Sequence, residues 1–156
     1  MGKEKEPAII QMLESNYGKY YRMAYCYVHN DADTMDIVQE SAYKAIFHSE
    51  KLMNPDYADT WICRIVIHES INFLRKNGRG FAEITENTAQ AEETYEDIDL
   101  RNAMEKLPVK DKTVIVLRYF EDMSLDQVAD VLNENVNTVK SRLYRALGKL
   151  RVCLDE

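Results

Sequence analysis

Apolar residues recur at intervals of three and four along most of the chain, and no stretch sustains the alternation of a half-buried strand. Side chains at that spacing share one face of a helix, so the fold class reads as all-α. Helix breakers are scarce to match, with 5 Gly and 3 Pro in 156 residues. That length suffices for one ordinary domain or for two small ones with a linker.

Charge distribution favours the second arrangement. The 20 basic and 27 acidic residues leave a net charge of -7, which excludes a uniformly basic coat and confines any nucleic-acid surface to a local patch. Residues 1–77 carry a net -2, residues 78–99 a net -6 and residues 100–156 a net +1. The middle segment follows the turn-like pair Asn77-Gly78 and is acidic and poor in large aliphatics, as a flexible, solvated linker is. The expected architecture is therefore two small helical domains, 1–77 and 100–156, joined by an acidic linker over 78–99.

In the first module the spacing of Ile9, Met12, Leu13, Tyr17, Tyr20, Tyr21, Ala24 and Tyr27 predicts one helix over Ala8 to Val28. A second helix starts at Asp31 or Asp33, either of which can cap it, with Ile37, Val38, Ala42, Ala45 and Ile46 inward. A third begins near Asp59, ends in Arg75 and Lys76, and has Trp61, Ile62, Ile65, Val66, Ser70, Phe73 and Leu74 on its core face. In the second module Leu100 to Leu107 leads to Pro108, placed in the first turn of the next helix. Ser124 and Gln127 then form a capping box, the turn Asn133-Glu134-Asn135 follows Leu132, and a last helix runs from Val136 to about Val152.

Two short helices joined by a three-residue turn, the second long and basic, make a helix-turn-helix. Ala129 is small where the helices approach, Asn133 can adopt the left-handed backbone of the turn, and Val139 fills the angle between them. Leu125, Val128, Leu132, Val136, Leu143 and Leu147 complete the inner face. From Val136 to Val152 there are five cations and no acid. At its start, Asn137, Thr138, Lys140, Ser141 and Arg142 offer amide and guanidinium groups for base edges, and hydroxyls and ammonium for phosphates. Arginine's planar fork assigns Arg142 to a guanine and leaves Lys140 for a phosphate.

Other classes find no support. Cys26, Cys63 and Cys153 are far apart without a C-x-x-C pair, which argues against a disulfide framework or a structural zinc site. His29, His48 and His68 share no ligand spacing with them, so no metal is expected. No P-loop, Gly-rich dinucleotide turn or H-E-x-x-H occurs, so neither catalytic residues nor a cofactor are expected. No apolar run approaches a membrane span, and Met1 to Pro7 lacks the core of a secretory signal; the expected location is the cytoplasm.

The segments Asp36-Ile37-Val38-Gln39-Glu40 with Tyr43, Thr60-Trp61-Ile62-Cys63-Arg64-Ile65, Leu107-Pro108, and Thr138-Val139-Lys140-Ser141-Arg142-Leu143 with Arg145 and Ala146 occur in that order. Together, over about residues 10–152, they resemble the extracytoplasmic-function sigma factors of bacterial RNA polymerase. The resemblance implies a region-two domain that holds the polymerase and opens the promoter -10 element, and a region-four domain that reads the -35 element. It assigns Asp33, Asp36, Gln39, Glu40 and Tyr43 to the clamp helices of the beta-prime subunit, and Arg64, His68, Asn72, Arg75 and Lys76 to the -10 element. It assigns Asn137, Thr138, Lys140, Ser141, Arg142 and Arg145 to the -35 element. The implied partners are core RNA polymerase, through the clamp helices and the beta flap, promoter DNA, and an anti-sigma factor that can be membrane-bound.

The residues agree where they can. Asp31, Asp33, Asp36 and Glu40 precede any cation up to Lys44, a composition that suits a basic protein partner better than DNA. The chain departs from the pattern at Asn133-Glu134, where Gly and an aliphatic residue are common, and at His68 and Asn72, where Asn and Asp are. The competing reading is an autonomous helix-turn-helix regulator, which would bind a palindromic site unaided. Two dissimilar modules, suited to two different elements, disfavour it.

Overall fold

The computed structural model describes residues 2–77 and 95–155, with side chains over residues 5–77 and 100–151. The described residues are helices and turns, without a strand, and they cluster into two compact units. The first comprises Met1–Leu74 with Asp130–Asn133, the second Arg75–Ala129 and Glu134–Glu156.

In the first unit, α1 (Gly2–Ser15), α2 (Tyr17–Val28), α3 (Asp31–Phe47) and α4 (Ala58–Lys76) follow one another. The single helix expected over Ala8 to Val28 is two, divided at Asn16, whose φ of -116° and ψ of 25° lie off the helix. The side-chain amide of Asn16 donates to Met12 Sδ of α1 at 3.1 Å and to Asp59 Oδ1 of α4 at 3.4 Å, so it bridges the two helices. The break turns α2 so that Tyr20, Met23, Ala24 and Tyr27 are buried while Tyr17, expected inside, is exposed. α2 stops at His29, which takes the left-handed backbone at φ 61°.

Asn30, not an aspartate, caps α3: its side chain accepts from the Asp33 N–H at 2.8 Å. Ile37, Val38 and Ala45 form the inner stripe as expected, while Ala42 and Ile46 are half-buried. Thr34 and Ser41 are buried beside that stripe because each hydroxyl donates back to a carbonyl of the preceding turn, Thr34 to Asn30 at 2.6 Å and Ser41 to Ile37 at 2.7 Å. On α4 the buried face is Ala58, Ile62, Cys63, Val66, Ile67, Ser70 and Leu74. Trp61, Ile65 and Phe73 were expected there but are half-buried, and Cys63 and Ile67 take the inner places. The core face thus sits one position further along the helix than the bulk of the tryptophan suggests.

Asp59, in the first turn of α4, ties that helix to α2. Its Oδ2 accepts from Lys19 Nζ at 2.7 Å and its Oδ1 from Tyr20 OH at 2.7 Å. Partial burial works to raise the Asp59 carboxyl, but hydrogen bonds from Lys19 and Tyr20, with the lysine's charge, hold it below the ordinary carboxylate range. Burial and the same carboxylate push the Tyr20 phenol well up.

In the second unit, α5 covers Tyr95–Glu105 and α6 covers Val109–Ile115; α7 (Leu125–Leu132) and α8 (Val136–Asp155) follow. The flexible linker expected over 78–99 lies outside the described residues as far as 94, and 95–99 are already helical. Pro108 stands just before α6 as its N-cap rather than within its first turn. Beyond Ile115 the helix widens into a π turn, Val116–Phe120, closed by the Glu121 N–H on the Val116 carbonyl at 3.0 Å. Val114 to Leu117 are buried, and α5 and α6 both pack on α8. Lys112 is buried too, and its ammonium is matched by Glu105 at 2.7 Å.

The carboxylate of Asp59 gives a pH signature. A folded-state pKa below the unfolded one contributes stability that is present above the unfolded value and is lost as the pH falls through the folded one. Asp59→Asn should cost the first unit about 1–3 kcal/mol near neutral pH, and that deficit should shrink in acid. Denaturant titrations of both proteins from neutral pH into the carboxylate range check this; a deficit independent of pH would contradict it.

Candidate functional site

Three surfaces carry the residues singled out in the sequence. On α3, Asp36, Gln39, Glu40 and Tyr43 are exposed and fall on one stripe, while Asp33 is half-buried at its start. Helical spacing extends the stripe to Phe47, which the sequence reading missed: its ring stacks on Tyr43 at 5.7 Å between centroids and 14° between planes. Tyr43 and Phe47 are 61% and 64% exposed, so the stripe is acidic at one end and aromatic at the other. Positions 36, 40, 43 and 47 share that helical spacing, a signal present in the sequence. Lys44, the first cation after the acids, stands 3.9 Å from Glu40 of the stripe. It is drawn to Glu69 of α4 at 2.7 Å, and that hydrogen bond raises its pKa.

On α4, Arg64, His68, Arg75 and Lys76 are exposed and Asn72 is half-buried, all toward one side of the helix. Their chemistry is cationic and amide-bearing, matched to phosphates and base edges. In the turns before α4, Asn54 accepts from the Asp56 N–H at 2.9 Å and fixes the chain that leaves Tyr57 outward.

The third surface is the helix-turn-helix, and its local geometry is the one the sequence implied. The Ser124 N–H donates to Gln127 Oε1 at 2.9 Å and the Gln127 N–H to Ser124 Oγ at 3.1 Å, closing the capping box. Asn133 has a φ of 56°, the left-handed conformation. Val128 and Val139 are wholly buried, and Ala129 and Leu143 nearly so. Leu125, Leu132, Val136 and Leu147 are half-buried, and Val131, Ala146 and Leu150 supply the remaining core contacts.

Along α8, Asn137, Thr138, Lys140, Ser141 and Arg145 are exposed. Arg142 is different. Its guanidinium pairs with Glu134 of the turn, and its side chain is only 15% exposed. The helix itself has no acid over Val136 to Val152, and the partner comes instead from the turn, eight residues back. Arg145 is also paired, to Asp111 of α6, yet its side chain stays 54% exposed.

Two families match the two halves: sigma-70 region 2 over residues 12–80 and sigma-70 region 4 over residues 97–150. The chain is 41% identical over 153 residues to the RNA polymerase sigma factor SigV of Bacillus subtilis, spanning 95% of this chain and 92% of that protein. It is an extracytoplasmic-function sigma factor of the sigma-70 family. The sigma factor SigW of Bacillus subtilis, of the same branch, is 26% identical over 96% of this chain and 90% of its own length. In fold, the sigma factor resembles RpoE solved with the anti-sigma factor NepR from Bartonella quintana, with a TM-score of 0.74 at 21% identity over 93% of this chain and 95% of that one. CnrH, solved with the cytosolic domain of CnrY, gives a TM-score of 0.74 at 22% identity over 99% and 94% of the two chains.

Among the described residues no group of three or more His, Cys, Asp or Glu could hold a metal ion, and Cys26 and Cys63 are in the thiol form. No helix of the described residues is long and apolar enough to cross a membrane.

The left-handed Asn133 allows a test of the turn in this sigma factor. Asn133→Gly should leave stability unchanged or slightly improved, since glycine meets no penalty there, while Asn133→Val should cost about 1–2 kcal/mol. Urea denaturation followed by circular dichroism measures both. Equal effects from Gly and Val would show that backbone conformation does not govern the turn.

Proposed function

We propose that residues 1–77 hold core RNA polymerase and the -10 element, and that residues 100–156 read the -35 element. One observation carries the proposal: a single chain holds both an exposed acidic-aromatic stripe, Asp36 to Phe47, and a helix-turn-helix whose second helix exposes only polar and cationic groups at its start. The stripe suits the basic clamp helices of beta-prime, where charge complementarity sets partner choice and the rings supply area. Arg64, His68, Asn72, Arg75 and Lys76 face the -10 strand.

On α8, Asn137, Thr138, Lys140 and Ser141 meet the duplex. Arg142 is held at the turn by Glu134, so base reading falls chiefly to Asn137 and Ser141, and Arg142 fixes the angle at which they arrive. The beta flap is the second contact with the polymerase. An anti-sigma factor is a further partner, by analogy with RpoE, solved with the anti-sigma factor NepR. The protein acts in the cytoplasm, where its polymerase is.

Run-off transcription on genomic fragments tests the proposal. Discrete transcripts should require both core enzyme and this protein; a chain that binds core and never directs initiation would contradict it. Asp36→Lys or Glu40→Lys should weaken core binding, because a cation placed against a basic partner costs several kcal/mol when desolvated. Lys140→Ala should weaken binding to all duplexes alike and lower the salt slope by about one. A core titration and a salt series read these effects. Unchanged core affinity would remove the acidic stripe from the interface, and a base-specific loss would make Lys140 a reader.

A further inference from the structure

Asp111 lies in the first turn of α6, and its side chain is 1% exposed. Nothing in the core-binding or base-reading roles uses it. Arg145 comes from α8 to meet it side-on: Nε donates to Oδ2 at 3.0 Å and Nη2 to Oδ1 at 2.8 Å. Lys149 Nζ, one turn further along α8, stands 4.0 Å from Oδ2. A carboxylate withdrawn from water this far needs such partners, and a fork-to-fork pair is the geometry that satisfies both of its oxygens.

What the pair leaves over is informative. The side-on mode uses Nε and one hydrogen of Nη2, so Nη1 and the other Nη2 hydrogen remain as donors. These belong to a side chain that is 54% exposed on the helix that also exposes Asn137, Lys140 and Ser141. The guanidinium is thereby fixed at both oxygens of a rigid, buried acid with its remaining donors on an exposed group. A solvated arginine must give up most of its rotamer freedom to grip a phosphate; this one has already done so. The acid does not repel DNA in return, because it is buried and flanked by two cations.

We propose that Asp111 is a positioning residue for DNA binding: it aims the guanidinium of Arg145 at a phosphate oxygen of the duplex that α8 enters. The proposal rests on the -35-reading role given to α8. It implies that removing the acid weakens DNA binding even though it removes negative charge, an effect opposite in sign to simple electrostatics.

The test uses the full chain, without polymerase, and a fluorescent random-sequence duplex of about 30 base pairs, titrated over a salt series, since a phosphate contact is felt on any sequence. Asp111→Asn, close in shape, should lose about tenfold in affinity, the worth of one charge-assisted hydrogen bond. Arg145→Ala should lose as much, each should lower the salt slope by about one, and the double variant should be no worse than either alone. Tighter binding by Asp111→Asn would overturn the proposal, since Asp111 would then be withholding Arg145 from DNA. Additive losses, or an unchanged slope in Asp111→Asn, would overturn it equally.

Arg145→Lys guards against a folding defect in the aspartate variant. It keeps a cation beside Asp111 without the fork, so it should bind nearly as weakly as Arg145→Ala; wild-type affinity would show that the fork is not what matters. A wild-type chain with no affinity for the duplex would overturn the phosphate contact, whereas run-off transcription with core enzyme tests the DNA-reading role itself.

Discussion

Each unit of this protein is pinned where a carboxylate in the first turn of a helix is withdrawn from water, in part at Asp59 and almost wholly at Asp111. Asp59 opens α4 and draws Lys19 and Tyr20 of α2 to it; Asp111 near the start of α6 draws Arg145 and Lys149 of α8. The helix start supplies favourable backbone dipoles, but a withdrawn charge is tolerated only if a partner from another helix arrives in the correct geometry. Apolar packing accepts many nearly equivalent arrangements, whereas these pairs accept few. They fix which face of α2 meets α4 and at what height α8 crosses α6, and the functional stripes inherit their orientation from them.

The exposed charges are then free to act outward. On α3 Asp36 and Glu40 stay at the surface, and Lys44 pairs with Glu69 of α4 at 2.7 Å while lying 3.9 Å from Glu40. On α8 two of the arginines are committed, Arg142 to the turn and Arg145 to the buried acid, while Lys140 is exposed. A helix that looks uniformly cationic in sequence is thus divided between cations paired to acids of other segments, Arg142 and Arg145, and the exposed Lys140. The same division explains how a protein of net charge -7 can present a DNA-binding helix: the positive potential is local.

The sequence was most legible where the deciding groups are a few residues apart. The Ser124–Gln127 box and the left-handed Asn133 were visible because capping and turn chemistry act over three or four positions. The two-unit, all-helical fold followed from spacing and charge. What escaped depends on distance in space. The break at Asn16 is stabilised by Asp59, which is 43 residues away, and the Arg145 pair spans 34 residues, so no local pattern announces either. Trp61 misled for a related reason: a large ring at a helix start suggests core, but α4 turns Cys63 and Ile67 inward instead, while Asp59 beside them bonds to Lys19 and Tyr20 about 40 residues away. Phe47 was within reach of periodicity and was lost only because the stripe was ended at Tyr43.

The central claim is that two dissimilar units of one chain contact two separate promoter elements at the same time. Site-specific photocrosslinking in the holoenzyme tests it directly, with probes placed at His68 on α4 and at Ser141 on α8, both exposed. In a single open complex the Ser141 probe should mark the upstream element and the His68 probe the downstream one, each on its own strand segment. Crosslinks from both positions to the same element, or from the His68 probe to no DNA at all, would contradict it.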